Sequence, residues 1–111
     1  MVTVEVHAPP LPRRRPEYNP AVYPGDRARY HAAWCVIACE QAEEMAAIAA
    51  DCRRDGFEVV ARMWDATASL ALLSAESEAS AVAQLVGVSN DLYQNARARF
   101  EATQARIGGE R

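Results

Sequence analysis

Residues 81–100, AVAQLVGVSNDLYQNARARF, contain the feature on which the expected fold depends, a glycine inside an otherwise helical pattern. In the interior of a helix, Gly87 would cost roughly 1 kcal/mol relative to alanine. In a tight turn between two helices, glycine is favoured because it adopts a left-handed backbone conformation without strain. Val88 can fill such a turn, and Ser89 is a suitable N-cap for a following helix. The stretch therefore predicts a turn at Gly87 and a new helix after it.

The predicted helix after this turn has two different faces. Residues spaced by three and four form an apolar face that we expect to be buried: Leu92, Ala96, Phe100, Thr103 and Ile107. The opposite face is polar and carries Asn90, Gln94 and Arg97, with Asn95 and Arg99 at its margins. Amide side chains can pair with adenine and arginine with guanine, so this face has the side-chain types of a helix that reads the major groove of DNA.

Two more helices are predicted before residue 77. Asp26 is a suitable N-cap for a helix over 26–55, which Gly56 would end in a left-handed conformation. A second helix is predicted over 57–75, and its apolar surface is broad enough for a central place in a bundle or for burial against a second subunit. The polar run SAESEAS, residues 74–80, is the expected break before the third helix.

Composition places the chain among all-α proteins. Half of the 111 residues are hydrophobic and 7% are aromatic, and the abundant alanine favours helices packed closely on small side chains. Residues 1–25 contain all six prolines, which fix φ and remove backbone donors, so we expect an extended arm. The predicted fold is a small bundle of three to four helices. It comprises the arm (1–25), a two-helix scaffold (26–76), a C-terminal helix-turn-helix (77–107) and a short tail (108–111).

Residues 77–100 resemble the helix-turn-helix proteins of bacteria and phages. The matching pattern is Ala83-x-x-x-Gly87-Val88-Ser89, followed by a helix that contains Ala96-Arg97-Ala98-Arg99. The resemblance implies that the helix after the turn enters the major groove. The residues that it implies in DNA binding are Asn90, Gln94 and Arg97 on base edges, Arg99 on phosphate, and Arg13, Arg14 and Arg15 of the arm in a minor groove.

The main functional hypothesis is therefore a small DNA-binding regulatory protein of a bacterium or phage, acting as a homo-oligomer. Residues 78–111 carry four arginines and four acidic residues, so this segment has no positive charge to add to its affinity for DNA. The alternative hypothesis is a helical assembly protein whose arm wraps a neighbouring subunit. Such a protein would be a phage head–tail or capsid-associated component, or a partner in a secretion system.

The sequence predicts neither an enzyme nor a cofactor site. It contains no glycine-rich phosphate loop and no nucleophile motif. His31, Cys35 and Cys39 lie along one line of the first helix, but a metal site needs a fourth ligand from elsewhere, so we predict no metal. Three cysteines without a signal peptide favour a reducing compartment. The expected location is the cytoplasm, or a phage particle under the alternative hypothesis, with no membrane and no small-molecule substrate.

Overall fold

Three α-helices make up the described part of the chain. The computed structural model describes residues 27–110, and the helices are α1 (Arg27–Arg54), α2 (Glu58–Val86) and α3 (Asp91–Glu110), with no strand among these residues. The all-α prediction is confirmed for this range. The predicted arm, with Arg13, Arg14 and Arg15, and the predicted cap Asp26 lie outside the described residues. None of the three helices is both long enough and apolar enough to span a bilayer.

The three helices form an up-down-up bundle. At one end, Arg53 near the end of α1 binds Glu58 at the start of α2. At the other end, His31 Nδ1 lies 2.8 Å from Glu78 Oε1, so α1 and α2 are antiparallel. Helix α3 runs parallel to α1, because its first half contacts Cys35 through the Ala96 carbonyl and Ile107 reaches the opposite end of the core.

Small side chains fill most of the core. One cluster lies toward the α1–α2 turn and contains Ala42, Met45, Ala46, Ala49, Cys52, Ala61, Trp64, Ala68, Ala71 and Ile107. A second cluster lies toward the α2–α3 turn and contains Cys35, Ala38, Cys39, Ala75, Ala79, Ala96 and Phe100. Because alanine projects only a methyl group, the helices can approach closely, and few large side chains are needed to fill the space between them.

The first turn has the geometry of a Schellman motif. Gly56 has φ of 87°, and the amide of Phe57 donates to the Cys52 carbonyl at 2.8 Å. The Gly56 amide donates to the Arg53 carbonyl at 3.1 Å, which completes the pattern. The predicted end of the first helix at Gly56 is confirmed.

The predicted break at residues 74–80 is wrong, because α2 runs unbroken from Glu58 to Val86. The polar run keeps the periodicity of the core face, since Ala75 and Ala79 are fully buried and Glu78 is buried beside His31. Tertiary packing of this face outweighs the weak helix propensity of the serines. The boundary drawn between residues 76 and 77 therefore falls inside a helix.

The second turn confirms the prediction that the chain bends at Gly87. Gly87 has φ of 89° and ψ of 157°, a region that is essentially restricted to glycine, and its amide donates to the Ala83 carbonyl at 2.8 Å. The predicted N-cap Ser89 is wrong by one residue. Asn90 Oδ1 accepts the amide hydrogen of Leu92 at 2.8 Å and thus caps α3.

We predict that Gly87→Ala lowers the free energy of unfolding by about 1–3 kcal/mol, because alanine is strained at this backbone conformation. The matched control is Gly108→Ala inside α3, where an added Cβ meets no atom within 4 Å. This control should raise the free energy of unfolding by up to about 1 kcal/mol. Urea denaturation followed by circular dichroism measures both. Equal effects of the two substitutions would contradict the role given to Gly87.

Candidate interaction surfaces

The amide side chains predicted to read DNA instead stabilise the second turn. Asn90 caps α3 as described above, and Gln94 Nε2 donates to the Val88 carbonyl. Both side chains would have to leave these partners to contact a base. The prediction that Val88 fills the turn is wrong, since its side chain is 64% exposed. Ser89 is also exposed, whereas Ala83 is half-buried.

The two arginines of this predicted face also have intramolecular partners. Arg97 Nε lies 3.0 Å from Glu101, another of its nitrogens lies 3.7 Å from Glu76, and its guanidinium stacks 5.2 Å from the centre of the Phe100 ring. Arg99 donates to Glu43 at 2.7 Å. Carboxylates therefore neutralise the charges that the resemblance assigns to DNA contact.

Glu43 is the centre of a polar network between α1 and α3. It accepts hydrogen bonds from Arg99 and from the Thr103 hydroxyl, each at 2.7 Å, and Arg106 lies 3.5 Å away. The hydrogen bond from Arg99 is the largest cause that lowers the pKa of Glu43. The pairing of Glu43 with Arg99 spans 56 residues and leaves no signal in local spacing, so the sequence does not reveal it. The network fixes the position of α3 along α1.

The two cysteines beside this network are buried thiols. Cys35 and Cys39 are fully buried, and the Cys35 thiol donates to the Ala96 carbonyl at 3.7 Å. The pairing with Cys35 is the largest cause that lowers the pKa of Cys39, and the same pairing raises the pKa of Cys35. The third residue of the line, His31, is bound to Glu78. Within residues 27–110, no group of three potential metal ligands is close enough to hold an ion.

An apolar face of α2 points away from the core. Its large side chains are Val59, Met63, Leu70 and Leu73, which are 64%, 41%, 56% and 62% exposed, and Ala66 lies among them. We call these five residues the outer stripe. Their spacing of four, three, four and three places them on one side of the helix. The core face of α2 is made by other residues, among them Trp64 and Ala68.

A second apolar area lies at the end of the bundle where α2 turns into α3. A groove of about 240 Å³ between α1 and α3 is lined by Ala32, Ala33, Val36, Leu92, Asn95 and Ala96. Exposed apolar residues at the α2–α3 turn, namely Leu85, Val86 and Val88, add to this area. Its members come from all three helices and form no regular helical stripe.

Comparison of the chain with protein-family models, curated proteins and solved structures finds no match. The function must therefore be argued from these surfaces and their chemistry.

We predict that Glu43→Gln lowers the free energy of unfolding by about 1–2 kcal/mol at pH 7, because two charge-assisted hydrogen bonds weaken. The pKa of Glu43 is lower in the folded state than its ordinary value of 4.5. The stabilisation is therefore complete above pH 4.5 and is lost as the pH falls through the folded-state pKa. The difference between wild type and variant should shrink as the pH falls below 4.5.

Urea denaturation from pH 3 to 7 measures this difference, and Glu44→Gln at the exposed neighbouring position is the control. A difference that stays constant over this pH range would contradict the network, as would an equal pH dependence in the control.

Proposed function

We propose that this protein is a small helical assembly protein that associates with a second copy of itself through the outer stripe of α2. The observation that carries this proposal is the regular row of large, exposed apolar side chains on a helix whose other face already supplies the core. A second copy of the chain is favoured as the partner of the outer stripe because the stripe is itself an apolar ridge with coiled-coil spacing. Two such ridges can interdigitate.

The energy available from the stripe is sufficient for a reversible dimer. Full burial of one large aliphatic side chain contributes about 1.5–3 kcal/mol, and each of the four large stripe residues is about half exposed, so about 0.75–1.5 kcal/mol per side chain is still to be gained. Two copies supply eight such side chains, or roughly 6–12 kcal/mol, and association costs about 4 kcal/mol or more, so at most about 8 kcal/mol of net free energy remains for the dimer. We therefore expect a dimer that dissociates in the micromolar range or above.

The alternative hypothesis, that the protein binds DNA through α3, receives less support from the contacts of the polar residues of that helix. The side chains that the helix-turn-helix resemblance assigns to DNA within α3 and its cap have intramolecular partners, as described above. Exposed Asp91 and Glu101 add negative charge to α3 near the same face. Phosphate binding depends on uncompensated positive charge, which this face lacks.

We predict that wild-type protein changes from monomer to dimer as its concentration rises through the micromolar range, and that Leu70→Glu removes this transition. The substitution brings two carboxylates into the apolar interface, so dimerisation should weaken by at least about 100-fold. Sedimentation velocity from 1 to 300 µM, about the range in which such a weak dimer forms, measures the change.

The matched control is Leu85→Glu, which makes the same chemical change at an exposed leucine of α2 outside the stripe. It should leave the transition unchanged. A wild-type protein that stays monomeric at every concentration would refute the proposed function, and equal loss of dimer in both variants would refute the assignment to the outer stripe.

The turn at Gly87 supports DNA binding as a second candidate function, because a bend between two helices is what the resemblance requires. This candidate predicts that fluorescent duplex DNA gains anisotropy with the protein at low salt, and that Gln94→Ala and Arg97→Ala reduce the gain. Arg62→Ala on α2 is the control for loss of one positive charge. Absence of binding at low salt, or an equal effect of the control, would eliminate this candidate.

A further inference from the structure

We infer that the two α2 helices of the dimer pair antiparallel, related by a two-fold axis that crosses the interface between the stripes at the level of residue 68 along the helix. This inference rests on the proposed function, and it adds the orientation and register of the second copy. It follows from the residues that flank the outer stripe. In a coiled coil these flanking residues determine which orientation of the partner is favoured.

One flank of the stripe carries opposite charges at its two ends. This flank consists of Arg62, Ser69 and Glu76, each seven residues apart, and both charged side chains are exposed. In an antiparallel pair, this flank faces its own copy, so Arg62 of each copy meets Glu76 of the other. The two-fold axis repeats the contact, and two intermolecular ion pairs result.

Within residues 27–110, the ion pairs of both charged residues are long. Arg62 lies 3.9 Å from Glu58, and Glu76 lies 3.7 Å from Arg97. In the dimer, Glu76 would lie between two guanidinium groups, Arg97 of its own copy and Arg62 of the other. A carboxylate is attracted to both guanidinium groups, so the intramolecular and intermolecular contacts are compatible.

The register that pairs these charges also places the small residue of each stripe opposite a large residue of the other. It sets Met63 against Leu73 of the second copy and Ala66 against Leu70 of the second copy, and symmetry repeats both layers. The small Ala66 thus faces a large leucine, which is the alternation that allows two helices to interdigitate. Val59, at the end of the stripe, then faces Ser77, which is exposed at the edge of the interface.

A parallel pair would satisfy neither condition. The flank that contains Arg62 would then face the other flank of the second copy, which consists of Val60, Thr67 and Ser74. Arg62 would gain no carboxylate, and Glu76 would gain no base. Ala66 would face Ala66 at the centre of the stripe and leave a gap between the leucine layers.

Charge reversal in mixed samples tests this orientation. Arg62→Glu alone and Glu76→Arg alone should each weaken dimerisation roughly three- to tenfold, because each homodimer then places like charges together. An equimolar mixture of the two variants should recover wild-type affinity, because both contacts in the mixed dimer again join opposite charges. Glu44→Arg, an exposed charge reversal on α1, is the control and should change nothing.

A distance measurement provides the second test. Ser80 is exposed on α2 beyond the stripe, and the native cysteines are buried, so Ser80→Cys can be spin-labelled selectively. An antiparallel pair in the inferred register separates the two labels by roughly 35–40 Å, given a rise of 1.5 Å per residue. A parallel pair would bring them within about 10–15 Å.

The two proposals fail in different ways. A monomer at all concentrations removes the proposed function and this inference together. A dimer that Leu70→Glu disrupts, but whose charge-reversed variants show no recovery on mixing or whose labels lie within about 15 Å, leaves the function in place and refutes the antiparallel pairing. Recovery on mixing together with the long distance supports both.

Discussion

The close packing of three helices on alanine is the physical constraint from which the rest of the structure follows. More than half of the buried hydrophobic residues in the described chain are alanines. Because methyl groups occupy little volume, the helices can approach closely, and few large side chains are needed to fill the space between them. Since Trp64, Ala68 and the other core residues occupy one side of α2, large apolar residues at the opposite positions lie outside, where Val59, Leu70 and Leu73 are more than half exposed. The helical periodicity that builds the core thus also defines the surface proposed for assembly.

Specific polar contacts compensate for a core that has few large side chains. The Glu43 network holds α3 against α1, and the contact of His31 with Glu78 holds the other end of α1 against α2. Hydrogen-bonded groups in these part-buried positions favour one register, because a shift would leave them without partners. Burial of the outer stripe in a dimer would add the apolar stabilisation that the core of a single chain lacks.

The sequence predicts the ends of the helices better than it predicts the polar contacts between helices or the outer stripe. Gly56 and Gly87 predict the ends of α1 and α2 because backbone conformations with positive φ favour glycine. This preference depends only on the local backbone, so it is visible in the sequence. The continuity of α2 through residues 74–80 is not predicted by the sequence, because the low helix propensity of serine favours a break there, and only tertiary packing shows the periodic burial of Ala75 and Ala79. The roles of Glu43 and Glu78 depend on partners 47 or more residues away, which local spacing cannot reveal. The breadth of the apolar surface of α2 was visible in the sequence, but only packing separates its core face from its outer stripe.

The contact between two outer stripes is the central claim, and isotope-filtered NMR observes it most directly. A sample that mixes ¹³C-labelled and unlabelled chains at high concentration reports only contacts between copies. The account predicts nuclear Overhauser effects between the Met63 methyl group of one copy and the Leu73 methyl groups of the other. Intermolecular signals confined to Leu85, Val86 and Val88, or no intermolecular signal at all, would contradict it.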